Sequence, residues 1–202
     1  WVGLEWRSVT GTLSWVSTLQ TSSMPRTLLQ LSPTPEAVVL ELAARKVGDI
    51  RYLCSIAEPT MGVLLNIGTA HLEFFGSVEG VAKAKGELLE YLDESCLALV
   101  NADDCVVVKE VKRTKGRLLA FSLERESQFR GEGLVLDQEG CGHFLLLSHP
   151  IDLKIPGRHN AYNALAAAAR RAAGRVSGAR SRGSAGCPRA RRARAAWALR
   201  PL

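Results

Sequence analysis

Polar side chains that directly follow apolar runs mark where this chain could do chemistry. Glu41 lies at the end of Ala-Val-Val-Leu-Glu-Leu (37–42), Asn66 and His71 follow from Met-Gly-Val-Leu-Leu-Asn-Ile (61–67), and Asn101, Asp103 and Asp104 follow the run Cys96–Val100. In an open α/β sheet the ligand sits outside the carboxyl ends of the strands, so carboxylates, carboxamides and an imidazole placed there are candidate ligand-binding groups. Each also has a plainer reading: Asp103 or Asp104 as the N-cap of a following helix, His71 as a hydrogen-bonded loop residue. The five cysteines, Cys54, Cys96, Cys105, Cys141 and Cys187, are odd in number and form no C-x-x-C pair. That fits neither a disulfide framework nor a zinc cluster, and points to a reducing compartment. Cys54 and Cys96 lie in or beside apolar patterns, where thiols pack as small hydrophobes.

The elements that must position these groups alternate between strand and helix. The apolar run 37–42 suits a buried strand, and Gly48–Ala57 reads as a helix ended by Pro59. Met61–Ile67 is a second buried strand. Ser77 caps a helix over Val78–Leu92, whose apolar residues fall at 78, 81, 82, 88, 89 and 92. Cys96–Val100 and Arg117–Phe121 are further strands, with a helix between them. Strands alternating with helices imply a parallel sheet with helices on its faces. From Gly131 to Ile155 short β runs separated by Gly- or Pro-containing turns predict antiparallel strands appended to that sheet. Pro156-Gly-Arg-His-Asn-Ala-Tyr-Asn-Ala-Leu then opens a strongly helical stretch.

Composition places the chain among ordinary globular proteins: 202 residues, 47% hydrophobic and 23% charged. No apolar run approaches the roughly 20 residues a bilayer-spanning helix requires, and the opening heptapeptide does not read as a signal peptide. The net charge of +6 is uneven. Ten Arg and no Asp, Glu or Lys fall between Arg170 and Leu202, whereas residues 1–169 hold 16 basic and 20 acidic side chains, a net of −4. All four Trp lie outside the middle zone and all seven Lys within it. Three zones follow: an atypical segment over 1–25, a regular domain over 26–170, and an Arg-rich tail over 171–202 that lacks the periodicity to pack. The first residue is Trp, and the chain reads as part of a longer polypeptide whose ends differ in origin from its middle.

The string Asn-Ile-Gly-Thr-Ala-His-Leu-Glu-Phe-Phe-Gly-Ser-Val-Glu-Gly-Val-Ala-Lys-Ala-Lys-Gly-Glu-Leu (66–88) closely resembles the central-domain signature of the Mur ligases. Glu41 within Val-Leu-Glu-Leu, Asn-Ala-Asp-Asp at 101–104 and Pro-Gly-Arg-His-Asn-Ala-Tyr-Asn from Pro156 extend the likeness in the same order, over residues 26–170. The resemblance implies an α/β fold with a mostly parallel Rossmann-like sheet, helices on both faces and a short antiparallel extension. It implies ATP-driven amide formation in the cytoplasm or a plastid stroma, by a monomer, through an acyl-phosphate. The Ala-His-Leu-Glu form around His71 favours the branch that joins D-alanyl-D-alanine to a UDP-N-acetylmuramoyl-tripeptide. By the same resemblance Glu41 and His71 match magnesium ligands, and Lys85 matches a lysine that is carbamylated to complete the metal site, with His71 and Lys85 the catalytic pair. A carbamate supplies the oxygen ligands that magnesium prefers, whereas an ammonium repels it. Carbamylation needs the neutral amine, hence a shielded site. Without the resemblance Lys85 would read as a solvated surface residue. His159, Asn160 and Asn163 match a motif that faces the nucleotide, with Asn160 equally readable as a helix N-cap.

One part of the pattern is missing. No G-x-x-G-K-[ST] loop precedes Glu41, and Lys46 is the first lysine of the chain. Phosphates need such a cradle of backbone amides and a lysine, so this polypeptide by itself is expected to bind ATP weakly or not at all and not to ligate. Two other readings stand beside the first: a related ligase adding a diamino acid or extending folate with glutamate, and a non-catalytic protein whose Arg-rich tail binds nucleic acid without sequence preference.

Overall fold

The computed structural model describes residues 13–15, 29, 37–68, 72–180 and 195–199. Within them the chain runs β1 (Leu13–Trp15), β2 (Ala37–Glu41), α1 (Asp49–Ala57), β3 (Met61–Leu64), α2 (Leu72–Phe75), α3 (Val78–Tyr91), β4 (Leu97–Asn101), α4 (Cys105–Glu110), β5 (Arg117–Ser122), β6 (Phe129–Leu136), β7 (Cys141–Leu146), β8 (His149–Pro156), α5 (Arg158–Arg180) and β9 (Ala195–Leu199). The strands form one sheet in the order β1-β2-β9-β3-β4-β5-β6-β7-β8. Pairing is parallel from β1 to β6 and antiparallel from β6 to β8. The alternating strands and helices, and the antiparallel extension, are those read from the sequence.

Period-two alternation explains how the sheet is covered on both faces. In β3 and β4, Leu64, Ala98 and Val100 face one layer with Ile50, Leu53, Val81, Leu88 and Leu89 from α1 and α3. Val63, Leu97 and Leu99 face the other, with Phe121, Phe144 and the small side chains Ala161, Ala166 and Ala169 of α5. Gly62 permits the close approach of α3: a Cβ there would meet Leu92 Cδ1 at 2.8 Å and Leu88 Cγ at 3.0 Å. Helix α3 starts as expected, with Ser77 Oγ accepting from the Gly80 amide at 3.1 Å.

Regular elements also occur outside residues 26–170. The helix opened at Pro156 does not stop near residue 170 but continues to Arg180, with Ala173 fully buried. Alanine and arginine are both strong helix formers, so losing a wide apolar stripe does not end a helix. Ala195–Leu199, inside the tail expected not to pack, forms β9 between β2 and β3. Ala-Ala-Trp-Ala-Leu is apolar throughout, a composition common in inner strands of parallel sheets. At the other end Leu13–Trp15, within the segment read as atypical, pairs with β2 as a strand.

Candidate active site

The carboxyl ends of the parallel strands make one rim, and Glu41, Asn66, Asn101, Asp103 and Asp104 lie along it. Glu41 closes β2 and pairs in register with Ala198 of β9, which on its other side pairs with Val63 of β3. Glu41 is therefore level with Val63, two strand spacings or about 9.5 Å away. Three residues beyond Val63 comes Asn66. Lys85, on the sheet-facing side of α3, reaches that turn and donates from Nζ to the Asn66 carbonyl oxygen at 3.1 Å. Burial of the amine pulls its pKa down to about 8, against the opposing pull of the Asp104 carboxylate. Lys83, two residues earlier, is exposed. The Asn66 side-chain oxygen is buried and meets no hydrogen-bond donor among the described residues.

The two aspartates after β4 do different work. Asp104 caps α4, its Oδ1 accepting from the amides of Val106 at 2.8 Å and Val107 at 3.1 Å, while Oδ2 accepts from the Ile67 amide at 2.8 Å. The cap thus also pins the turn that carries Asn66. Asp103 accepts from the amides of Leu123 (2.6 Å), Glu124 (3.1 Å) and Arg125 (2.9 Å) and from the Tyr162 hydroxyl (3.0 Å). Partial burial pushes its pKa up, but those donors outweigh it and hold the carboxyl below the ordinary aspartate range. Asn101 is buried and accepts from the Asp103 amide at 2.9 Å.

The Tyr162 bond brings the first turns of α5 to the same rim. Asn160 is not an N-cap. The helix begins at Arg158, and the Asn160 side chain instead donates to the Pro156 carbonyl at 2.8 Å while accepting from Asn163 Nδ2 at 3.2 Å. His159 is exposed, its ring occupying the space a Cβ on Gly157 would need, consistent with a φ of +107° at that glycine. The structure therefore brings Lys85, Asn66 and Asp104 together, and separately joins Asn160, Asn163, Tyr162 and Asp103. His71 lies outside the described residues. Among those residues no three His, Cys, Asp or Glu side chains converge to hold a metal. A hollow of about 300 Å³ lies away from the rim, between α3 and α4, where Arg113 is already paired with Glu110.

Residues 5–170 match the family described as Mur ligase middle domain. The chain belongs to the Mur ligase family. It is 38% identical over 152 residues to the UDP-N-acetylmuramoyl-tripeptide--D-alanyl-D-alanine ligase of Escherichia coli, a match covering 72% of this chain and 33% of that protein. To the protein of the same description from Synechocystis sp. it is 35% identical over 150 residues, covering 72% of this chain and 31% of the other. The chain thus spans about a third of the length of the curated relatives it matches. Among solved structures, MurF from Acinetobacter baumannii aligns with a TM-score of 0.73 at 26% identity over 79% of this chain and 36% of that one. MurF ligase from Thermotoga maritima in complex with ADP aligns with a TM-score of 0.67 at 27% identity over 81% and 40%.

Sequence reasoning about this Mur ligase chain missed Glu87. Only 2% exposed, it extends from α3 to the start of α1, where Oε1 accepts from the Gly48 amide at 2.6 Å and Oε2 from the Arg51 amide at 3.0 Å. The signal was an absence: α1 has glycine at its N-cap and no side-chain cap of its own, so its free amides must be satisfied from elsewhere. Tyr162 was also missed, because its partner lies 59 residues away.

Proposed function

We propose that this chain is the nucleotide-handling central part of an ATP-dependent ligase that joins D-alanyl-D-alanine to UDP-N-acetylmuramoyl-tripeptide by amide formation. The observation that carries the reading is the seat of Lys85: an amine drawn off the surface and set against the Asn66 carbonyl at the end of β3. A lysine placed only for solubility keeps its head in water. The family match and the names of the relatives support the same reading.

The residues present fit a magnesium site in part. Glu41 offers a carboxylate at the rim, and the Lys85 amine, with its pKa near 8, is neutral in a usable fraction of molecules at mildly basic pH. Neutral Lys85 attacks carbon dioxide, forming an N–C bond and releasing one proton, and the resulting carbamate is an anion with two oxygen donors. Glu41, His71 and that carbamate are the groups we assign to hold the cation. Magnesium, when bound, would neutralise phosphate charge during transfer. The chain's own residues do the rest: Asp104 holds the turn bearing Asn66 against Lys85, while Asp103, through Tyr162, holds the start of α5 so that His159, Asn160 and Asn163 face the nucleotide. Since residues 1–40 lack a Gly-Lys-Ser/Thr loop, the 202-residue chain alone binds ATP weakly and does not ligate.

The test is ligation by a polypeptide that joins this chain to a phosphate-binding loop and to the parts of its curated relatives that it does not span. Lys85→Ala abolishes product and Lys83→Ala leaves it unchanged; equal effects of the two defeat the assignment. In the 202-residue chain, 13C-labelled bicarbonate should give a carbamate resonance that Lys85→Ala removes and Lys83→Ala retains.

A further inference from the structure

The antiparallel extension holds a cluster that the ligase reading does not use. His143 projects from β7 with both ring nitrogens facing carboxylates: Nδ1 lies 2.8 Å from Asp152 Oδ1 on β8, and Nε2 lies 3.2 Å from Asp137 Oδ2 at the end of β6. A neutral imidazole has one N–H and one lone pair, so it can satisfy only one of these contacts and must repel the other carboxylate. With a hydrogen on each nitrogen, both become charge-assisted hydrogen bonds.

The surroundings favour the proton. Gly142 and Phe144, which alternate with His143, point toward α5, where a Cβ on Gly142 would stand 3.6 Å from Ala161 Cβ, so the imidazole is on the opposite, open face of the three strands. On that face the neighbouring charges are Asp152 and Lys154 from β8, Asp137 and Glu139 from the β6–β7 turn, and Glu132 from β6, with the Cys141 thiol on β7 itself. Carboxylates outnumber the one ammonium. Hydrogen bonds donated to Asp152 and then to Asp137 raise the imidazole pKa above its ordinary value of 6.5, the small desolvation of the exposed ring opposing them.

What the cluster fastens gives it consequence. Asp137 Oδ1 also accepts from the Cys141 amide at 2.7 Å, closing the turn between β6 and β7. Within that turn the Gly140 carbonyl accepts from the Gly157 amide at 2.8 Å, immediately before α5. The start of α5, with His159, Asn160 and Asn163, therefore hangs on the turn to which His143 is tied. At its other end the β7–β8 hairpin turns through Leu147 (φ +50°) and Ser148 (φ +64°), left-handed positions that ordinarily take Asn-Gly. The two strands are paired up to that turn, Leu146 with His149, and the His143–Asp152 bond adds a side-chain fastening across them.

We propose that His143 is a proton-operated clip: as an imidazolium it bridges Asp137 and Asp152 and holds the β6–β7 turn, and with it the start of α5, against β8; as a neutral ring it releases one of the two. Because the folded state binds the proton more tightly than the unfolded chain, the clip contributes fully below pH 6.5 and is lost as pH rises through the folded midpoint. The clip is independent of what binds at α5.

The experiment is a histidine titration of the 202-residue chain labelled with 15N, read through long-range proton–nitrogen correlations from pH 5 to 9, with His143 assigned by His143→Gln. Both His143 nitrogens should show the protonated signature at pH 6, with a midpoint above 6.5 that falls toward that value in Asp152→Asn and in Asp137→Asn. Amide exchange across β7, β8 and Gly157 should accelerate beyond intrinsic base catalysis as pH crosses the midpoint, a step missing from His143→Gln. A midpoint at or below 6.5, or one that neither Asp substitution moves, overturns the proposal. So does a correct midpoint with no exchange step, which would make the cluster a surface ion pair without mechanical effect.

Discussion

The Tyr162 hydroxyl donates to Asp103 at 3.0 Å and so ties the second turn of α5 to the carboxyl end of β4. Burial, followed by the Asp103 bond, pushes the phenol pKa up to about 12. The folded chain therefore keeps a proton that the unfolded chain releases near pH 10, and stability falls as pH climbs from about 10 to 12. Absorbance titration should show Tyr162 ionising late, and Asp103→Asn should bring it earlier. An unchanged titration in Asp103→Asn would break the link.

Removing that hydroxyl with Tyr162→Phe should cost about 1–2 kcal/mol by chemical denaturation. Combined with Asp103→Asn, the losses should fall short of additive, because the two residues share one bond. Strict additivity would mean that Asp103 acts through the loop amides alone.

Much of this architecture could be read along the chain. The strands at 37–41, 61–64 and 97–101 show as apolar runs, and α3 shows by its spacing and by Ser77 at its head. Local periodicity is carried by neighbours in sequence, and those elements are made by neighbours. The contacts that organise the rim are not: Glu87 meets Gly48 across 39 residues, and Asp103 meets Leu123 across 20. A carboxylate's distant acceptor role leaves no periodic trace. The strand β9 was hidden for another reason, since its five apolar residues are embedded among arginines that dominate the composition. Glu41 was marked by its place at the end of an apolar run and Lys85 by motif likeness, whereas the trans cap supplied by Glu87 required coordinates.

Glu87→Gln retains one acceptor oxygen of two and removes the negative charge at the start of α1. We expect a loss of about 1–3 kcal/mol in urea unfolding, with Glu87→Ala costing more. Wild-type stability in either variant would show that the amides of Gly48 and Arg51 find other partners.

Thiol chemistry should separate the cysteines. Burial and then the nearby Glu87 carboxylate push the Cys54 pKa up to about 12 from an ordinary 9, so its thiolate is about a thousandfold scarcer than that of an unshifted thiol. Cys105 is exposed at the first residue of α4. With iodoacetamide at pH 8 and peptide mass mapping, Cys105 should be alkylated while Cys54 and Cys96 remain protected until denaturant is added. Early labelling of Cys54 in native protein would place it outside the core.

Replacing Leu147-Ser148 by Asn-Gly should stabilise the fold by about 1 kcal/mol, since both positions have positive φ and Leu147 is exposed, with little packing to lose. Thermal melting of the double variant decides it. A lowered midpoint would mean that the Leu147 side chain contributes more than its backbone costs.

Helix α3 presents Lys85 to the end of β3 and, two residues on, Glu87 to the loop that follows β2. A helix is stiff over so short a span, so these attachments cannot travel apart. Any sliding or tilting of that rod shifts the amine and the loop beyond Glu41 in one stroke, and the spacing between the two flanks of the rim is geared to a single moving part.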